Sequence, residues 1–226
     1  MGYIEHVTGI QPDTAMADDI YQKTQGTRDG AIWTADWVLA RCAEGRVFVA
    51  NAGSATTPIT FGAGDIDPTE MDLFISVPSG TTIGILDVVI QMEAYGTVLL
   101  FEAMAKIGTG GTVGAGTSVT PRNLRSDAPF TSNCTITAAA TATSGVALTG
   151  PEFFRAGHKL VVDAVTATTS AGALLPRKFA WNHKDAGYIP IVVGGTGTGC
   201  AVYAASQAGT GFIIVTYVEI PSTRIV

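Results

Sequence analysis

Along most of the chain, apolar residues recur with a period of two, in short runs punctuated by glycine, proline and threonine. The clearest case is the C-terminal stretch from Gly187 to Pro221, GYIPIVVGGTGTGCAVYAASQAGTGFIIVTYVEIP. It divides into β segments at Ile189–Val193, Cys200–Ala205 and Phe212–Ile220, cut apart by glycine-rich turns at 194–199 and 207–211. Valine, isoleucine, tyrosine and phenylalanine between such breakers suit a pleated, half-buried surface, and the pattern predicts a strand, hairpin, strand ending. In the last segment Phe212, Ile214, Thr216, Val218 and Ile220 share one face, and Ile213, Val215, Tyr217 and Glu219 share the other. Both faces are largely apolar, so this strand is expected to be covered on both sides, in a sandwich or an oligomer.

The same period predicts strands over Arg46–Asn51, Met71–Val77, Thr82–Ala94, Thr97–Ile107 and Lys159–Thr166. Threonine-rich edge strands are expected over Thr117–Arg125 and Asn133–Ala142. Within Thr82–Ala94 the alternation fails midway, and a bulge near Asp87 would restore it. Gly108–Gly116 reads as flexible punctuation, Pro151–Gly157 as a loop carrying two phenylalanines, and Leu174–Lys184 as a long amphiphilic connection. The sum is about eight to ten strands at the turn spacing of a sandwich or jelly roll, with no helical period after residue 45.

Residues 1–45 are different in kind, with charges from Glu5 to Glu44 spread densely among few apolar runs. A short helix is predicted over Ala15–Lys23. Trp33 and Trp37 are spaced to share one side of a helix or of a strand, and the spacing fits both. Two tryptophans in a polar segment need an apolar surface to dock on, either on a neighbouring subunit or on the body of the same chain. The expected organisation is an N-terminal arm over 1–45 and one all-β sandwich domain over 46–226.

Composition sharpens this picture. Charged residues make up 14% of the 226 residues and apolar ones 46%, against about 25% charged in ordinary soluble proteins. So little charge leaves apolar surface to be buried against other subunits. The net charge is −6 and no basic run exceeds Arg177–Lys178, which argues against direct nucleic-acid binding. The apolar run Ile83–Ile90 is too short to span a bilayer and the N-terminus lacks a signal-peptide pattern, so no membrane partner is expected and synthesis in a cytoplasm is. Cys42, Cys134 and Cys200, an odd number far apart, read as small buried thiols.

Candidate chemistry is sparse. The turn Gly194–Gly199, GGTGTG, follows a strand but lacks the lysine and helix of a phosphate loop and reads as a hairpin turn. No G-x-S-x-G elbow occurs, His6, His158 and His183 are isolated from any metal-ligand spacing, and no cofactor motif is found. Asp65, Asp67, Glu70 and Asp72 form the best metal candidate, a loop of carboxylates for a cation such as calcium, although their spacing matches no calcium loop and Pro68 imposes its own turn. Arg177, Lys178 and Trp181, with His183 and Lys184, either dock an acidic partner surface or form a solvated loop with Trp181 tucked beneath it.

The run GRVFVANAG (Gly45–Gly53), the glycine- and threonine-rich β body after it, and the closing FIIVTYVEIP (Phe212–Pro221) together resemble structural proteins of tailed bacteriophages. The resemblance implies a jelly-roll-like β-sandwich with an extended N-terminal arm, located in the virion and without enzymatic activity. It points first to a capsid decoration or shell protein, a trimer contacting other capsid proteins such as the major capsid protein, with Trp33 and Trp37 as an arm clamp. The alternative it allows is a trimeric tail or fibre head that binds a host receptor or glycan through loop residues such as Trp181 and Tyr188. A cupin-like enzyme would require histidines converging on inner strands, and the three histidines here fall in the arm and the connections.

Overall fold

The structure, a computed structural model, describes residues 36–54, 56–62, 65–94, 100–127, 130–142, 147–159, 178–206 and 209–221. Trp33, Arg177, the helix expected over 15–23 and all but the first residue of the strand expected over 159–166 lie outside them. In chain order the described elements are α1 (Trp37–Ala43), β1 (Val47–Ala52), β2 (Ile59–Thr60), β3 (Glu70–Ser76), β4 (Thr81–Ala94), β5 (Leu100–Gly108), β6 (Val113–Val119), β7 (Arg122–Asn123), β8 (Thr135–Ala142), β9 (Glu152–Lys159), β10 (Lys178–Asn182), α2 (His183–Ala186), β11 (Ile191–Val193), β12 (Gly199–Ala205) and β13 (Thr210–Pro221).

These strands form two antiparallel sheets packed face to face. Sheet one runs β10-β4-β13-β1-β7, with β11 also on β4 and β2 also on β13; sheet two runs β6-β8-β3-β12-β5-β9. Eight principal strands carry the topology: β1, β3, β4, β5, β9, β10, β12 and β13. The first pairs with the last, the second with the seventh, the third with the sixth and the fourth with the fifth. One long hairpin rolled so that its successive pairs fall in alternate sheets gives this order, which is that of a jelly roll.

The core lies between the sheets. Phe48, Ala50, Ile213, Val215 and Tyr217 point into it from sheet one, and Leu73, Ile75, Phe101, Ala103, Val202 and Ala204 from sheet two. Along β4 the inward residues are Ile83 and Ile85, then Val88, Ile90 and Met92. Their parity changes at Leu86–Asp87, where Tyr217 pairs with Ile85 while Thr216 pairs with Asp87. This is the bulge that the broken alternation predicted, and it keeps the apolar residues of a 14-residue strand on one face.

Several expectations need correction. The three closing strands form no hairpin: β11 and β13 belong to sheet one and β12 to sheet two. The glycines between β11 and β12 serve a close crossing, since a Cβ on Gly194 would sit 2.0 Å from the Pro78 carbonyl oxygen. The segment 151–157 is mostly strand β9, and 178–182 is strand β10 on the edge of β4. Residues 113–116 extend into β6 rather than forming a loop. On β13 only the Ile213, Val215, Tyr217 and Glu219 face is fully buried; its other face is half-buried except at Val218.

Where β6 meets β8 the register shifts twice, and Ala139 adopts φ 47°, the left-handed region. An L residue with a Cβ is strained there by about 1–2 kcal/mol. Ala139→Gly is therefore expected to raise stability by about 0.5–1 kcal/mol despite the added freedom of the unfolded chain, readable as a higher urea midpoint at constant slope.

Candidate functional site

The short helix α1 opens at Asp36, whose carboxylate accepts from the Val38 amide at 2.8 Å and the Leu39 amide at 3.4 Å. These two donors, Val38 foremost, hold the Asp36 carboxyl below its ordinary value. Four-residue spacing places Val38 and Cys42 on one side, packed on Val47, Leu86, Val218, Ile189 and Ile220 of sheet one's outer surface. Trp37 and Leu39 project away, Leu39 with 61% of its surface exposed. The Arg41 guanidinium lies 5.7 Å from the Trp37 ring centroid and pairs with Glu44.

Two neighbouring segments extend this surface. On one side, Asn123 Nδ2 donates to the Gly45 carbonyl at 2.7 Å and Arg125 Nη1 donates to the Ala43 carbonyl at 2.6 Å. These bonds fasten the loop after β7, which carries Leu124 and Phe130, to the end of α1; Arg46 stacks over Phe130 at 4.0 Å. On the other side, Lys184 of α2 reaches Asp36 at 4.0 Å. Past α2 follow Tyr188, Ile191 and Val193, with Val192 between the last two turned into the core. The large apolar side chains exposed among the described residues are Trp37, Leu39, Leu124, Phe130, Tyr188, Ile191 and Val193. All of them belong to sheet one or to segments flanking its outer face. Among the described residues sheet two contributes none; the apolar part of its own outer face, Met71, Phe74, Met104, Ala201 and Tyr203, is covered by Ile66 and Leu148.

Of the residues singled out from sequence, Trp37 is thus exposed on α1 and Lys178 is exposed on β10. Trp181 is carried by strand β10 rather than by a loop: it is 8% exposed and packs into the core. Its ring meets Phe153 of β9 edge-on at 5.0 Å and Tyr188 at 6.0 Å, while the Tyr188 hydroxyl donates to the Phe153 carbonyl. Tyr188 therefore spans the edges of both sheets. Leu39, Ile191 and Val193 were missed as surface residues, although the alternation around buried Val192 carried the signal for the last two.

Among the described residues no three His, Cys, Asp or Glu side chains are grouped to hold a metal, those of the acidic segment included. Asp67 is turned to the Thr69 amide and hydroxyl, both at 2.8 Å. Asp72 of β3 is buried and accepts from the Ala204 amide at 2.6 Å and the Gly62 amide at 3.2 Å, tying Gly62 and β12 to β3. Burial pushes its carboxyl up to about 7 against the pull of these amides. The folded state thus holds this proton up to about pH 7, whereas the unfolded chain releases it near pH 4. Stability from this group is full below pH 4 and falls as pH rises through about 7. The urea midpoint is expected to drop from pH 4.5 to pH 7.5, and Asp72→Asn should flatten that slope; an unchanged slope would refute the assignment.

A second, partly buried network joins Ser132, Tyr217 and Glu219. Ser132 Oγ donates to Glu219 and shares a 2.7 Å hydrogen bond with the Tyr217 hydroxyl, while the Asn133 amide donates to Glu219 at 3.0 Å. Burial pushes the Tyr217 phenol far above its ordinary value, so it acts as a neutral donor. The arrangement fixes residues 131–134 across the end of β13, with Ser132 as its anchor on the Glu219 carboxylate.

In comparisons with known proteins, no family model matches the chain and no curated protein matches its sequence. Among the described residues, no helix is long and apolar enough to cross a membrane.

Proposed function

We propose that this chain is a structural component of a virion, a capsid decoration or shell protein that stabilises the particle through contacts between subunits. The observation that carries this reading is the one-sided distribution of exposed apolar side chains, from Trp37 and Leu39 on α1 to Ile191 and Val193 on β11. A charge-poor jelly roll with one such face is suited to burying that face against a second copy or another capsid protein, such as the major capsid protein. Residues 1–35 join the domain at Asp36, on the same face, so an arm running from there would add to the contact. The partners in this reading are copies of the chain in a trimer.

Light scattering on the purified chain tests it. The wild type is expected to assemble, and Trp37→Ala with Leu39→Ala to weaken assembly or attachment to particles by at least about tenfold, the effect of removing central apolar anchors. A wild type that stays monomeric at high concentration and binds no particle would sink the proposal. The alternative role, a tail or fibre head binding a host receptor or glycan, draws on a separate feature, the cleft between the sheet edges.

A further inference from the structure

At the edge away from β10 the two sheets part, leaving an open cleft of about 700 Å³ between β1 and β7 on one side and β6 and β8 on the other. That volume lies within the range of small-molecule sites, about 300–1,000 Å³. Asn51, Thr57, Thr117, Ser118, Thr120 and Arg122 line it. Among the described residues none of these six side chains has a hydrogen-bond or ion-pair partner. All six are solvent-exposed, so their donors and acceptors are open to a ligand.

The charge of the cleft is as distinctive. The chain carries 19 acidic residues and a net charge of −6, yet no carboxylate lines this space and Arg122 does. Ser54 Oγ accepts from the Thr57 amide at 3.1 Å, which shapes the rim, and the strained Ala139 forms part of the opposite wall. Strain of this kind persists where surrounding structure over-determines it and concentrates at ligand clamps.

We propose that this cleft binds a carboxylate-bearing saccharide. The planar guanidinium of Arg122 suits a bidentate grip on a carboxylate, and the hydroxyls with the Asn51 amide supply both donors and acceptors for sugar hydroxyls. No aromatic ring lines the cleft, so a neutral sugar lacks the face on which it would stack and discrimination rests on the acid group. The inference concerns the isolated protein and holds for a shell or a fibre role alike.

The test is saturation-transfer NMR and calorimetry on the full chain with 3′-sialyllactose and a hyaluronan tetrasaccharide as acidic probes and lactose as the neutral one. At least one acidic probe should bind saturably, with lactose at least about tenfold weaker, and Arg122→Gln should weaken the acidic probe by at least about tenfold, the worth of a charge-assisted hydrogen bond. Thr117→Val with Ser118→Ala should weaken it independently, and Arg155→Gln, on the far edge strand β9, should leave it unchanged. Absence of saturable binding by both acidic probes, equal binding of lactose, or full binding by Arg122→Gln would overturn the proposal. The Trp37→Ala, Leu39→Ala variant should keep sugar binding, so failure of this inference and failure of the assembly reading are separable.

Discussion

Trp181→Ala is expected to destabilise the protein by about 3–5 kcal/mol, the usual cost of emptying a large aromatic site in a core. Trp181 lies on β10, paired with Val88 of β4, and its ring fills the space between the edge strands β10 and β9 through Phe153. Removing it leaves Phe153 and Tyr188 without their shared neighbour, and the two edges cannot close without breaking the Tyr188 bond to the Phe153 carbonyl. In a chain of this length the loss corresponds to a fall in melting temperature of roughly 10 °C. Trp181→Phe should recover most of it. A cost below about 1 kcal/mol for the alanine variant would return Trp181 to a solvated connection and contradict the burial described above.

Gly150→Ala is the second large effect, at about 3 kcal/mol, through overpacking rather than a cavity. A Cβ on Gly150 would lie 2.1 Å from the Ile107 carbonyl oxygen and 2.7 Å from Gly108 Cα. Both contacts are backbone, so no side chain can swing aside. The close crossing supports the bridge between Thr109 and Thr149, whose two amides donate reciprocally at 2.9 and 2.8 Å. Gly110 is the control: its φ is +80°, but a Cβ there would meet nothing within 4 Å, so Gly110→Ala should cost only the left-handed penalty of about 1–2 kcal/mol. Urea denaturation of the two variants side by side decides the matter, and equal costs would show that the crossing at Gly150 is looser than described.

The candidate surfaces were less legible in the sequence than the strands. Trp37 stood out as a tryptophan in a polar segment, and it is exposed on α1. Leu39 and Val193 did not stand out, since a single leucine or valine is unremarked until its neighbours are known to be buried. Lys178 and Trp181, three residues apart in the chain, have opposite environments because β10 turns Trp181 inward and leaves Lys178 at the exposed edge. The cleft was invisible: Asn51, Thr117 and Arg122 come from three strands, and nothing local distinguishes a threonine lining a cavity from one on an ordinary edge.

By itself the sequence determined that the chain folds mainly as β-strands, which residues alternate within most of the central ones, and that β4 must bulge near Asp87 to keep Ile83, Ile85, Val88 and Ile90 on one face, while β9 and β10 went unread. Those properties follow from side chains a few residues apart, and the two-residue period of a strand records them directly. Only the tertiary structure decided that β11, β12 and β13 alternate between sheets, that the glycines after Val193 serve a backbone crossing, and that the apolar surface gathers on the α1 side. Pairing between strands as distant as β1 and β13 is chosen by how completely the two sheets cover each other, and that sum over the whole chain leaves no mark in any short stretch of it.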